Sequence, residues 1–75
     1  MSFEGRTTED LIRIAAAGGG FLLHAAGRTT EDLIRISSAA KASGAHVTLA
    51  GLTGRTTEDL IRIGAAGRGF VILEG

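Results

Sequence analysis

The chain has no cysteine, no tryptophan and no tyrosine among its 75 residues. Lack of cysteine excludes disulfides and thiolate metal ligands. With only two histidines besides, a tetrahedral zinc site would have to lean on carboxylates, an uncommon ligand set. Lack of tryptophan and tyrosine removes the side chains that bury most area each. Excess charge is missing too, since eight basic residues balance eight acidic ones. A neutral chain with no basic run offers little attraction to nucleic acid or anionic lipid. No stretch approaches the ~20 apolar residues of a membrane span. The opening "MSFEGRTTED" has neither the basic start nor the apolar core of a secretion signal. These absences point to a cytoplasmic or synthetic origin, with no membrane partner, no cofactor and no small-molecule substrate.

What the chain has in quantity is one phrase. "GRTTEDLIRI" starts at Gly5 and returns unchanged at Gly27 and Gly54. In the first copy Thr7 is a good N-cap, its hydroxyl placed for the free amides of the first helical turn. Glu9 and Asp10 then fall where negative charge suits the helix dipole. Thr29 and Thr56 hold the same place in the later copies. Leu11, Ile12, Ile14 and Ala15 have the spacing of one buried stripe. Arg13 follows Glu9 by four residues, the favoured orientation for an ion pair within a helix. Glycines close each helix, and short apolar runs follow: "FLLHAA", "HVTLAGL" and "FVILEG", each read as a strand. "MSFEG" resembles "VILEG" when their final glycines are aligned, so residues 1–4 read as a partial first strand.

The expectation is therefore a single α/β domain over 1–75: three tandem helix–strand units, about 5–26, 27–53 and 54–75. The order is βαβαβαβ with a parallel sheet, because short connections through one helix make successive strands parallel. Right-handed crossovers in sequential strand order put all helices on one side of the sheet. Near-identical units favour that order, with solenoid-like stacking, over a shuffled doubly wound sheet.

Registering the strands on the glycines that begin each decapeptide places Phe21, Leu23, Leu52, Val71 and Leu73 on one face, with Phe3. Leu22, His24, Leu49, Phe70 and Ile72 fall on the other. Neither face is polar, as in sheets covered on both sides. A chain this small, without disulfide or metal, gains stability chiefly by association. The sequence thus predicts a structural protein whose partner is itself, forming a filament or closed ring. The expected assembly interface is Phe3, Phe21, Leu23, Leu52, Phe70, Val71, Ile72 and Leu73, comprising an uncovered apolar face and the edge strands. Ile72→Pro is expected to remove an edge donor and disperse the assembly.

Other chemistry is weighed against this. The glycine register puts His24 and His46 on opposite faces, so they do not converge on a metal or an acid–base pair. "GRTT" before a helix could cradle an anion, but Glu9 and Asp10 already fill that turn, and the lysine of a phosphate loop is absent. Stacked units would align Arg6, Arg28 and Arg55, and separately Arg13, Arg35 and Arg62. A ladder of Glu9, Glu31 and Glu58 beside them favours a solvated, mutually paired face over nucleic-acid binding. No catalytic constellation is present, and the chain is not read as an enzyme. The alternatives are a module binding a protein or nucleic acid through its Arg/Glu face, and a designed chain without biological function.

The cap assignment is testable: Thr29→Ala should destabilise the fold by about 1 kcal/mol in denaturant melts. On the same reading Thr30→Ala costs clearly less.

Overall fold

The computed structural model describes residues 5–75. The partial strand expected over residues 1–4, including Phe3, lies outside the described residues. Helix and strand alternate: α1 (Thr8–Ala16), β1 (Phe21–His24), α2 (Thr30–Ser43), β2 (Val47–Ala50), α3 (Thr57–Gly67) and β3 (Val71–Leu73). The strands form a parallel sheet in sequential order, β1-β2-β3. Among the described residues no helix is long and apolar enough to cross a membrane.

Each helix starts where its threonine stops the preceding loop. The Thr7, Thr29 and Thr56 hydroxyls accept from the amides of Asp10, Asp32 and Asp59 at 3.1, 3.1 and 3.2 Å. All three threonines are extended, with ψ near 160°, and so occupy the N-cap proper. The ends differ because the residues after the decapeptide differ. Gly44 closes α2 in the left-handed conformation, φ 84°, and its amide donates to the Ala40 carbonyl.

The core lies between the helices and one face of the sheet. Leu11, Leu33, Ile36 and Ile63 from the helices meet Leu23, Val47 and Leu49 from the strands, all at 0% exposure. Phe21, Ala25 and Leu52 are buried in the same cluster, and Val71 and Leu73 pack against it half-buried. The sheet is thus covered by helices on one face.

The observed register corrects the glycine alignment. Leu22 lies opposite Thr48, and Thr48 opposite Ile72. The glycine alignment paired Leu22 with Leu49, one position away, and a slip of one residue transfers a strand's side chains to the other face. Leu49 therefore joins the core with Leu23. The loops absorb the discrepancy, because connections of unequal length separate the strands from the decapeptides that follow them. The helices cover the face that carries Phe21 and Leu23: these two and Leu52, expected on an uncovered face, are buried beneath them, while Leu22 and Ile72 are exposed on the opposite one.

The start of β1 also fixes one glycine sterically. A Cβ on Gly20 would stand 2.5 Å from the His46 carbonyl oxygen, a backbone atom that cannot swing aside. A Cβ on Gly27 would meet nothing within 4 Å. Gly20→Ala should therefore cost about 1–3 kcal/mol, whereas Gly27→Ala should stay within about 0.5 kcal/mol of the parent. Urea denaturation of both variants checks the contrast.

Candidate functional site

Three surfaces outside the core concentrate side chains with chemistry: the open sheet face, the hollow at the carboxyl ends of the strands, and the outer helix layer.

On the open face, strand alternation turns Leu22, Thr48 and Ile72 outward in one row. Leu22 is 49% and Ile72 55% exposed, values high for aliphatic side chains in a parallel sheet. Beside that row the His46 and Phe70 rings lie 5.2 Å apart, tilted at 43°. His24 and His46 share this face, correcting the expectation of opposite faces. They still do not converge. His24 is registered with Ala50, four positions along from His46, or about 13 Å at ~3.3 Å per residue. No group of three or more metal-ligating residues forms among the described residues.

A hollow of about 410 Å³ opens where β1 and β2 end and α2 and α3 begin. Arg28, Thr29, Arg55, Thr56 and Asp59 line it. Parallel sheets often bind ligands at this end. Here the polar groups already serve one another. Arg55 donates to the Ala25 carbonyl at 2.9 Å, to the Arg28 carbonyl, and to Thr30 Oγ1 at 3.0 Å. The threonine caps take up first-turn amides, and Asp59 adds negative charge where an anion would sit. Ser37, in α2, is a fully buried hydroxyl with no hydrogen-bond partner among the described residues, and so no base among them activates it.

The outer helix layer carries the same set of contacts twice. Between α1 and α2, Thr8 Oγ1 donates to Asp32 Oδ2 at 3.2 Å and accepts from Arg28 Nη1 at 2.8 Å. Arg28 Nη2 donates to the Arg6 carbonyl at 2.6 Å, and Arg35 pairs with Glu9 at 2.6 Å. Between α2 and α3, Thr30 donates to Asp59 at 3.2 Å and accepts from Arg55, which also donates to the Arg28 carbonyl. Arg62 pairs with Glu31 at 2.6 Å. The glutamates of α1 and α2 thus meet the arginine of the next helix, not the arginine four residues along their own. Arg13, expected to pair with Glu9, has no ion pair among the described residues. Helix packing puts Arg35 within reach of Glu9, and Glu9 takes that partner across the gap.

The network changes the expectation for Thr30. Its hydroxyl is both donor and acceptor between two helices, so its loss strips a partner from Asp59 and from Arg55. Thr57 holds the same place in α3 and has no such contact among the described residues. In dilute solution Thr30→Ala should cost about 1 kcal/mol more than Thr57→Ala, and about as much as Thr29→Ala. Equal costs for Thr30→Ala and Thr57→Ala in chemical melts would contradict the network.

No protein-family model matches the chain, and none of the curated proteins or solved structures compared with it does either, so its function is argued from its own surfaces.

Proposed function

We propose that this chain is a structural, non-enzymatic module that assembles with copies of itself, its helix–strand units stacking like those of a solenoid. The observation that carries this reading is the bare face of the sheet. Parallel sheets occur almost entirely with both faces covered, and here the helices cover one. Leu22 and Ile72 stand half exposed on the other, with Phe70 beside them. A second copy of the chain brings the same row of apolar side chains, and burying the two rows against each other removes both from water. At roughly 25 cal/mol per Å² of apolar surface, such a contact favours association without any charge complementarity.

The sheet edge adds a second route. The Val47 amide donates to the Phe70 carbonyl at 2.9 Å, and the Glu74 amide to the Leu49 carbonyl at 2.8 Å. Parallel pairing alternates along a strand, so Ile72 also turns its backbone toward β2, while Val71 and Leu73 turn theirs toward the edge. Ile72→Pro therefore breaks pairing inside the chain and does not report on assembly, contrary to the expectation from the sequence. Val71, Leu73 and the exposed side chain of Ile72 remain in the proposed interface, together with Leu22 and Phe70.

Recognition of nucleic acid through the arginine ladder draws no support from the geometry, because Arg35 and Arg62 already carry carboxylate partners. The cytoplasm is the compartment in which we place this assembly, consistent with the absence of cysteine.

The test replaces the exposed pair. Leu22→Lys with Ile72→Lys leaves the core untouched and should keep the circular dichroism of the parent. Light scattering at high micromolar concentration should give an oligomer for the parent and a monomer for the double variant. Raising salt should not separate the paired sheet faces. A folded monomeric parent, or a double variant of unchanged mass, contradicts the proposal.

A further inference from the structure

The contact set that joins α1 to α2 and α2 to α3 is left half-made at each end of the helix layer, and the two halves are complementary. At the α3 side, Thr57, Glu58 and the Arg55 carbonyl occupy the positions of Thr30, Glu31 and the Arg28 carbonyl. At the α1 side, Arg6, Asp10 and Arg13 occupy the positions of Arg28, Asp32 and Arg35. The side chains of Thr57, Glu58, Arg6, Asp10 and Arg13 lack hydrogen-bond or ion-pair partners among the described residues, whereas their internal counterparts are engaged.

The apolar side chains show the same asymmetry. Ile12 and Ile34 are half-buried, but Ile61, at the same place in α3, is 57% exposed. Ile36 and Ile63 are fully buried, but Ile14, at the same place in α1, is only half-buried. The α3 side thus presents a projecting isoleucine. The α1 side presents a shallow hollow of about 360 Å³ lined by Arg6, Asp10, Arg13, Ile14 and Ala17.

We propose that the α3 side of one molecule docks on the α1 side of a second copy of this chain, repeating the internal helix–helix contact between molecules. Glu58 pairs with Arg13 of the neighbour. Thr57 donates to the Asp10 carboxylate and accepts from Arg6, and the Arg6 guanidinium also reaches the Arg55 carbonyl. Ile61 enters the hollow beside Ile14. The contact is head-to-tail, so it generates a ring where its rotation closes and a filament where it does not. It rests on the self-assembly reading, but it is a separate surface from the sheet face and is dominated by polar contacts.

Charge reversal tests it, because exposed pairs are weak singly while like charges repel. Arg13→Glu and Glu58→Arg should each raise the dissociation constant of the oligomer, measured by sedimentation velocity, by about tenfold, some 1.4 kcal/mol. The double variant, which restores an opposite pair with its signs exchanged, should recover most of the affinity. Lys41→Glu, on α2 outside the contact, should leave it unchanged. Thr57→Val probes the same surface without altering charge and should weaken association several-fold, while dilute-solution melts show each monomer intact. The proposal is overturned if the single reversals have no effect, if the double variant is no better than either, or if the parent does not associate. Should the reversals be silent while Leu22→Lys with Ile72→Lys still disperses the oligomer, the self-assembly reading stands and this contact falls.

Discussion

A strand has two faces, and this chain supplies helices for one. That constraint organises the rest of the molecule. The inner face of the sheet, built from Leu23, Val47 and Leu49, is buried against Leu11, Leu33, Ile36 and Ile63. Sequential strand order leaves no crossover to place a helix on the far side. Leu22 and Ile72 are therefore exposed by the topology itself, however well the inner layer packs.

Identical decapeptides end in different surroundings for the same reason. The central helix α2 has a neighbour on both sides, and its Thr30, Glu31, Asp32 and Arg35 are all engaged. In α1 and α3 the same residue types find partners on one side only. The exposed ion pairs of this layer contribute little singly, about 0–1 kcal/mol each. Their value lies in fixing which helix follows which, since a reversed neighbour would set arginine against arginine. The adjoining Thr8–Asp32 and Arg28–Thr8 bonds and the Arg55 bond to the Ala25 carbonyl, being partly buried, add stability as well as order.

Much of the fold was legible because its signals are local. The threonine caps, the acidic first turns and the glycine after α2 act within a few residues, and the structure places them where the spacing does. Strand order followed from short connections and near-identical units. The register was not legible. Aligning the glycines assumes that every strand lies at the same distance from the next decapeptide; relative to β1, β3 departs from that by two residues, which keeps its faces, and β2 by one, which exchanges Leu49 for Thr48 on the open face. The Glu9–Arg13 pairing failed for a related reason: spacing within one helix cannot weigh a competing arginine that packing delivers from the next, here Arg35. The double role of Thr30 was hidden likewise, since its partners Asp59 and Arg55 lie 29 and 25 residues away in sequence. That the sheet carries apolar residues on both faces was thus readable, but not which of them face outward.

The central claim is that another copy of the chain covers the open sheet face. Methyl NMR with a soluble paramagnetic agent tests it directly, because the agent broadens only methyl groups that solvent reaches. At high micromolar concentration the Leu22 and Ile72 methyls should be protected, and dilution should expose them while Leu23 and Leu49 stay protected throughout. Leu22 and Ile72 methyls equally broadened at every concentration would contradict the account.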